Sequence, residues 1–287
     1  MHFVEAKSIL SNQNSMNIYR GCLHGCIYCD SRSDCYQMKH DFNDIEVKIN
    51  AAELLEDKLK RKRNKCMICT GSMTDPYIPI ENNLKLTRKC LEIINDYGFG
   101  ASIITKSDLV LRDLDLIKSI NEKAKFVLQM TLTTYDEDLC KILEPNVSST
   151  KDRFKVLKIM EENNIPTIVW LSPILPFIND TKENINGILD YCIDAKVKGI
   201  ICFNMSLTLR DGNREYYYKM LDKYFPGLKE KYIKTYGNRY ELISKNNHEL
   251  MHIFKERCRI NNILSEYNQC FDYINYFPDK GIQTSLF

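Results

Sequence analysis

The sequence has few of the residues that mark loops or fibres, and it lacks any long hydrophobic run. Its 287 residues include 11 glycines, 8 prolines and one tryptophan, which excludes a collagen-like or low-complexity chain. No apolar stretch approaches the roughly 20 residues that a helix needs to cross a bilayer. The amino-terminal residues also lack the charged start and apolar centre of a signal peptide. We therefore expect a cytoplasmic protein that has no membrane partner.

The sequence also has no large excess of positive or negative charge. Lysine and arginine number 40 and aspartate and glutamate 38, for a formal net charge of +2, which neither requires nor excludes a nucleic-acid partner. The 44% of hydrophobic and 27% of charged residues are ordinary for a globular protein. A chain of this length can bury a substantial core, so we expect one large domain with at most a small appendage.

Cysteine is the residue that this chain has in excess, with 12 in all. In a long chain of a reducing compartment, clustered cysteines indicate metal binding or catalysis rather than disulfides. Cys22, Cys26 and Cys29 lie within eight residues, spaced x3 and then x2. This spacing places three thiolates on one side of a short loop. They could hold three irons of a [4Fe–4S] cluster and leave the fourth iron without a protein ligand.

A structural zinc site is the alternative for this cluster, because four sulfur or nitrogen ligands at short spacing form closed tetrahedral sites. Cys35 or His24 could supply the fourth ligand, although the x3, x2 spacing is unusual for zinc. We expect His24 to lie at the surface and Cys35 to take no part. Cys66 and Cys69 form a C-x2-C pair, but on a strand they would face opposite sides and share no metal.

Short β-branched apolar runs alternate with amphipathic stretches along the first two thirds of the chain. The runs cover residues 66–71, 101–106, 126–132, 167–174 and 199–205. The amphipathic stretches lie near residues 51–63, 84–97, 108–121, 135–143, 150–163 and 181–195. This alternation predicts a parallel sheet of six strands, the first just before Cys22. An open doubly wound sheet and a partial barrel both fit, and in both the loops after the strands carry the chemistry.

The pattern becomes helical and polar after residue 206. We therefore expect a barrel or sheet domain over residues 1–206 and a helical extension over residues 207–277 that packs on it. Residues 278–287 are expected to form an exposed tail.

Six motifs in a fixed order, only one of which contains the three cysteines, indicate a protein family. They read "NIYRGCLHGCIYCDSRS", "GSMTDPYIPIE", "LTRKCLEII", "ITKSDLVLRD", "LEPNVSSTKDR" and "LSPILPFIND". In this order and spacing the chain resembles the spore photoproduct lyase-related branch of the radical S-adenosylmethionine (radical SAM) superfamily, over roughly residues 7–205. The resemblance implies a partial (β/α)6 barrel. It also implies a [4Fe–4S] cluster whose open iron binds S-adenosylmethionine, which is cleaved to methionine and a hydrogen-abstracting 5′-deoxyadenosyl radical.

The resemblance also assigns residues around the cofactor. Tyr28 fills the aromatic position before the last cluster cysteine. Lys106 falls near the methionine carboxylate, where a cation makes charge-assisted hydrogen bonds. Ser72, Thr74 and Asp75 occupy the segment that contacts the methionine amino group, although Asp-Pro also forms turns without any ligand.

Further positions follow from the next strands. Thr131 and Thr133 end strand four and could contact the ribose or the carboxylate, and Pro173 could lie beneath the adenine. Spore photoproduct lyase uses a cysteine on strand two as a hydrogen donor, which makes Cys69 the candidate here. The residue at the same offset before the aspartate is, however, Ser72.

Two other motifs suggest other activities or partners. "HELMH" at residues 248–252 fits the H-E-x-x-H pattern, in which His248 and His252 would bind zinc and Glu249 would activate water. No third ligand follows at a familiar spacing, so a zinc hydrolase is the less favoured class. The final "QTSLF", Gln283 to Phe287, resembles the pentapeptide that binds the bacterial sliding clamp.

The resemblance implies repair of a DNA lesion as the reaction, with a reducing electron donor of the flavodoxin or ferredoxin type. A buried base must be flipped out before such chemistry can reach it. A radical maturase of a peptide or small metabolite is the alternative enzyme, and an iron–sulfur scaffold or sensor is the alternative without catalysis.

Overall fold

The helices and strands of the computed structural model lie within residues 1–278, which are the residues that it describes. The strands are β1 (His2–Val4), β2 (Ser15–Met16), β3 (Tyr19–Arg20), β4 (Glu46–Lys48), β5 (Met67–Thr70), β6 (Gly100–Thr105), β7 (Phe126–Thr131), β8 (Thr167–Trp170), β9 (Gly199–Ile201), β10 (Ser206–Thr208) and β11 (Glu241–Ile243). The α-helices are α1 (Ala51–Arg61), α2 (Glu81–Leu84), α3 (Leu86–Asp96), α4 (Leu114–Lys123), α5 (Glu137–Leu143), α6 (Thr150–Glu162), α7 (Lys182–Asp194), α8 (Asn213–Tyr224), α9 (Leu228–Tyr236), α10 (Asn247–Ile260) and α11 (Tyr267–Asn275). Short 3₁₀ helices cover Asp30–Arg32, Asp34–Tyr36 and Asp108–Asp113.

Six parallel strands form the main sheet of the described residues, in the order β2-β5-β6-β7-β8-β9. Helices between successive strands return the chain in the same direction, as parallel pairing requires. The outer strands β2 and β9 are not neighbours in this order, so the barrel is open. The alternation of apolar runs and amphipathic stretches predicted the parallel sheet of six strands. The partial (β/α)6 barrel, which the family resemblance implied, is confirmed.

The first strand of the sheet differs from the prediction. The segment directly before Cys22, β3, lies in a separate three-stranded sheet with β1 and β4. The main sheet begins instead with the two residues of β2, which pair with Cys69 and Thr70. The chain leaves the barrel after Met16 because its next backbone groups bond to β4, where the Lys48 N–H donates to the Ile18 carbonyl at 3.1 Å.

Alternating side chains of the sheet enter two different apolar clusters. Phe126, Leu128 and Met130 of β7 belong to the main core, together with residues of α3, α4, α6 and α7. Val127 belongs to a second cluster with Cys270 and Ile274 of α11. Successive residues of a strand point to opposite faces, so α11 packs on the face of the sheet opposite the other helices.

The carboxyl-terminal region packs on the segment that carries the cysteine cluster. Side chains from α8, α9 and the antiparallel strands β10 and β11 share an apolar cluster with Cys26, Ile27 and Tyr28. The predicted domain division at residue 206 stays a prediction. β10 begins at this residue, and one apolar cluster contains residues from both sides of it. No helix of residues 1–278 has the length and apolar character to span a bilayer. The predicted clamp-binding segment at residues 283–287 lies outside the described residues.

Candidate active site at the carboxyl ends of the strands

A cavity of about 610 Å³ opens where the barrel strands end. Its walls bring together most of the residues that the sequence predicted for the site. These are Cys22, Cys26, Tyr28, Cys29, Ser72, Asp75, Lys106, Thr131 and Pro173. A slightly larger cavity of about 670 Å³ lies near the start of β8, but no cysteine lines it. We therefore identify the site by its three cysteines and not by cavity volume.

Three predicted residues do not line this cavity. Thr133 is fully buried, and its carbonyl accepts hydrogen bonds from Asn179 and Asn184, each at 2.9 Å. Thr74 borders a separate cavity of about 260 Å³. Cys69 packs against the apolar cluster on the α11 side of the sheet, where burial raises the pKa of its thiol to about 11. Its role as a hydrogen donor stays a prediction.

The cysteine loop is held in place by backbone contacts with its neighbours. The Cys22 N–H donates to the Phe42 carbonyl at 3.1 Å, and the Ile27 N–H donates to the Leu143 carbonyl at 3.0 Å. Gly21 has a φ of +87°, and a Cβ there would lie 2.6 Å from the Phe42 oxygen. Glycine is required at this position, since an L side chain would meet both strain and a clash. The backbone of the cysteine loop is thus anchored at Cys22 and at Ile27.

All three cluster cysteines are free thiols; Cys22 and Cys26 are buried, and Cys29 is partly exposed. Burial raises the pKa of Cys22 to about 12 and raises the pKa of Cys26 well above its usual range. These thiols are therefore protonated at neutral pH, and a metal must displace their protons to bind. Burial also works against charge on Lys106, yet the neighbouring Glu144 carboxylate raises the pKa of its ammonium group. One cation consequently faces the thiols.

Asp75 joins the cysteine loop to the ends of β5 and β6. One of its carboxylate oxygens accepts hydrogen bonds from the Tyr77 N–H at 2.8 Å and the Thr105 hydroxyl at 2.7 Å. The other accepts from the Lys106 N–H at 2.7 Å and lies 2.9 Å from Nε2 of His24. Burial works against charge on this carboxyl, but His24 and these backbone donors lower its pKa. Both oxygens are thus engaged by protein groups.

The expectation that His24 lies at the surface is wrong, because its side chain is only 3% exposed. The segment after α5 folds over the loop and covers it. There the Asn146 N–H donates to the His24 carbonyl, and the imidazole Nδ1 lies 3.1 Å from the Asn146 carbonyl. The same imidazole reaches Asp75 with its other nitrogen. His24 therefore connects three segments of the site, which its position in a glycine-flanked loop did not reveal.

A buried ion pair lies behind Tyr28. Arg153 and Glu144 are both fully buried, and a guanidinium nitrogen lies 2.6 Å from a Glu144 oxygen. Arg153 also donates to the Thr131 carbonyl at 2.8 Å, and the Tyr28 hydroxyl donates to the second Glu144 oxygen. The network joins the cysteine loop to the end of β7 and to α6. Both charged residues stand in the "LEPNVSSTKDR" motif, which is the sequence signal that could have found Glu144.

Part of the cavity wall is formed by residues that the sequence reasoning missed. Trp170, Phe203, Tyr240 and Glu241 line it, with Phe203 45% and Tyr240 51% exposed. The Arg210 guanidinium lies 5.1 Å from the centre of the Tyr240 ring. Tyr240 and Glu241 reach the cavity through the pairing of β10 with β11. No local motif marks Tyr240 and Glu241, because the strand pair β10–β11 joins segments more than 30 positions apart.

The alternative zinc motif does not form a site. His248, Glu249 and His252 are exposed on α10, and Glu249 pairs with Lys182. Their ligand atoms do not converge: within residues 1–278 the histidine, cysteine and carboxylate ligand atoms that do converge belong to His2, His40 and Asp44. The helix face therefore lacks the geometry of a zinc hydrolase.

The fold and the site together define a class, namely an open parallel α/β barrel with a three-cysteine loop at the carboxyl edge of its strands. Residues 16–192, more than half of the chain, match the model of the Radical SAM superfamily. The chain therefore belongs to the radical SAM superfamily.

Relatives with similar sequences come from distant organisms. An uncharacterized protein of Methanocaldococcus jannaschii is 36% identical over 167 residues, which cover 58% of this chain and 62% of that protein. An uncharacterized protein of Mycobacterium tuberculosis is 27% identical over 230 residues, which cover 77% of this chain and 66% of that protein. The matches thus span about two thirds of the length of these relatives or less.

Among solved structures, spore photoproduct lyase complexed with dinucleoside spore photoproduct is similar in fold. The TM-score is 0.61 at 14% sequence identity, and the alignment covers 90% of this chain and 77% of the lyase. At this identity the likeness shows a shared fold, and it extends beyond the barrel into the carboxyl-terminal region.

Replacing Glu144 by Gln should destabilise the protein strongly. The amide keeps the shape and the acceptor for Tyr28 but leaves the Arg153 guanidinium as an unpaired buried charge. Breaking such a pair costs about 3–5 kcal/mol, which denaturant unfolding would measure as a lower free energy of unfolding. Glu266→Gln is the matched control, because its pair with Lys255 at 3.1 Å is more than half exposed and should contribute almost nothing. Equal stability of the two variants would contradict this account of the site.

Proposed function

We propose that the chain binds a [4Fe–4S] cluster through Cys22, Cys26 and Cys29, and S-adenosylmethionine at the iron that these cysteines leave open. We further propose that it cleaves this cofactor reductively and abstracts hydrogen from a lesion in DNA. Membership in the radical SAM superfamily implies the cluster, the cofactor and a reductant. The cluster ligands, the cofactor contacts and the substrate are our assignments.

The observation that carries the proposal is that three free thiols, and no fourth, line one cavity of the described structure. Cys35, the nearest further cysteine in sequence, is exposed and lies with its sulfur 3.2 Å from a guanidinium nitrogen of Arg210. Three thiolates are one ligand short of a fully protein-bound cubane. The cavity of about 610 Å³ is of the size that encloses nucleoside-sized ligands, roughly 300–1,000 Å³.

The residues around the thiols can hold the cofactor. Lys106 offers an ammonium group for the methionine carboxylate. Because both oxygens of Asp75 are already engaged, we assign Asp75 to positioning Lys106 and the loop, and Ser72 to contacting the amino group. Thr131 and Pro173 line the wall on which the nucleoside would lie. When bound, the cluster and cofactor supply the radical that removes a hydrogen atom from the substrate.

The aromatic side of the cavity supports a nucleobase as the substrate. Phe203 and Tyr240 present exposed rings, and bases stack on such rings with about 1–3 kcal/mol each. Arg210 adds a cation next to Tyr240, suited to a nucleic-acid backbone. The chain shares its fold with spore photoproduct lyase, whose structure contains a dinucleoside lesion. A base flipped from the duplex would enter the cavity that these rings and the cysteines share.

A second candidate substrate is a peptide or small metabolite with a cationic group. Glu241 lines the cavity, and one of its oxygens accepts hydrogen bonds from Asn204 and Ser206, each at 3.0 Å. A carboxylate held in this way favours an ammonium group and disfavours a phosphate. The electron donor of the flavodoxin or ferredoxin type and the sliding-clamp contact of residues 283–287 stay predictions.

Replacing Cys22, Cys26 or Cys29 by Ala should remove iron and abolish formation of 5′-deoxyadenosine. Mutation of residues around metal ligands typically lowers metal affinity or activity roughly 10–100-fold. The activity loss here should be larger, because each variant deletes a ligand itself. Anaerobic reconstitution followed by iron analysis and product quantification would measure both effects. Cys35→Ala is the control and should behave like the natural protein. Three variants that keep their iron would overturn the assignment, and so would a Cys35→Ala protein without iron.

Hydrogen abstraction from a DNA lesion should transfer deuterium to the cofactor product. We expect a thymine-lesion oligonucleotide, deuterated in the lesion, to give labelled 5′-deoxyadenosine in a mass-spectrometric assay. The undamaged deuterated oligonucleotide is the matched control and should give none. Two results together would exclude the repair function: damaged DNA gives only unlabelled 5′-deoxyadenosine, and deuterated cationic peptides give the labelled product. Reductive cleavage of S-adenosylmethionine would still be supported. Absence of any 5′-deoxyadenosine would exclude both.

A further inference from the structure

Three carboxylates line the cavity, and they belong to Asp30, Asp75 and Glu241. Two of them have a basic side chain beside them. An oxygen of Asp75 lies 2.9 Å from Nε2 of His24, and an oxygen of Asp30 lies 3.6 Å from Nε of Arg210. Within residues 1–278 the polar contacts of the Glu241 side chain are instead with neutral donors. Glu241 is therefore a carboxylate in the cavity wall without a cationic partner among the described residues.

The Glu241 side chain is held at a fixed place in this wall. One of its oxygens accepts hydrogen bonds from the Asn204 amide and the Ser206 hydroxyl, each at 3.0 Å. The carbonyl of Ser206 in turn accepts the Ile174 N–H at 3.1 Å, which ties β10 to the segment that follows β8. Neutral donors orient a carboxylate but leave its charge uncompensated. The position therefore suits a ligand that brings a cation.

The charged groups of the cofactor already have other partners in the proposed function. Lys106 is the one lysine or arginine among the described residues that line the cavity, and we assign it to the methionine carboxylate. Ser72 is assigned to the methionine amino group. Neither assignment uses Glu241, so this carboxylate remains available to the substrate.

Two aromatic residues adjoin this carboxylate in the chain. Tyr240 directly precedes Glu241, and Phe203 directly precedes Asn204, which donates to Glu241. Both rings line the cavity and are about half exposed. Trp170 also lines the cavity and lies beside Phe203, with the ring centres 6.3 Å apart. A base that stacks on these rings therefore carries any short substituent into the neighbourhood of the carboxylate.

We propose that the substrate base carries a short substituent that ends in an ammonium group, and that Glu241 binds this group. The inference rests on the proposed function, because it takes a nucleobase as the substrate. A primary amine with a pKa of about 10.4, as in lysine, is protonated at neutral pH and makes a charge-assisted hydrogen bond to a carboxylate. A base without the amine leaves the carboxylate unpaired near the phosphates and binds more weakly. Glu241 is thus a specificity-determining residue.

Binding of short single-stranded oligonucleotides to the cluster-loaded protein tests this inference. Two strands differ in one base, which is aminomethyluracil in one and hydroxymethyluracil in the other, so that the contribution of the phosphates cancels. The natural protein should bind the aminated strand roughly 10–100-fold more tightly, the range of a hydrogen bond to a charged group. Glu241→Gln keeps an oxygen acceptor for Asn204 and Ser206 and should lose this preference. Glu249→Gln is the matched control and should keep it, because Glu249 is an exposed carboxylate that pairs with Lys182.

Equal affinity of the natural protein for the two strands would overturn the inference, and so would a preference that persists in Glu241→Gln. The affinity for S-adenosylmethionine is the second readout. A fall in Glu241→Gln that matches its loss of the aminated strand would assign Glu241 to the cofactor instead. Tighter binding of a lysine-containing peptide than of the aminated strand would place a peptide, and not a base, at Glu241.

The outcome is separable from that of the proposed function. These binding measurements need neither reductant nor turnover, so the preference for the aminated strand decides the inference by itself. Failure to form 5′-deoxyadenosine with reductant present would instead contradict the proposed radical chemistry.

Discussion

The buried pair of Glu144 and Arg153 is the interaction on which the geometry of the site depends. It joins Tyr28 of the cysteine loop to the end of β7 through Thr131. Neither charge is stable in the interior without the other, so the loop and the barrel are fixed together or not at all. Asp75 does the same on the other side, where it connects His24 with β5 and β6. The thiols are therefore placed by charge pairing as much as by apolar packing.

Much of the fold could be predicted from the sequence, because each barrel element carries its own periodic signal. The apolar runs at residues 101–106 and 126–132 became β6 and β7 almost residue for residue. The first strand could not be placed, since two residues of β2 carry no periodicity and their pairing is decided by β5. The pairing of β10 with β11 was missed for a related reason, because segments far apart in the sequence form it.

The site was predictable where neighbours in sequence are neighbours in space. The spacing of Cys22, Cys26 and Cys29 defines a loop, and Lys106 follows directly on a strand, so the sequence could place them together at one cavity. The burial of His24 and Thr133 was not predicted because it depends on segments far along the chain, namely Asn146, Asn179 and Asn184. Glu144 and Arg153 stand in one sequence motif, but their ion pair becomes visible only when the segments that carry them are packed together.

The central claim is that three thiolates leave one iron of the cluster open to S-adenosylmethionine. Electron paramagnetic resonance of the reduced, anaerobically reconstituted protein tests it most directly. Addition of S-adenosylmethionine labelled at its amino nitrogen and carboxylate oxygen should change the spectrum of the cluster and introduce hyperfine coupling to the labels. An unchanged spectrum without such coupling, or purified protein that carries zinc in place of iron at these cysteines, would contradict the account.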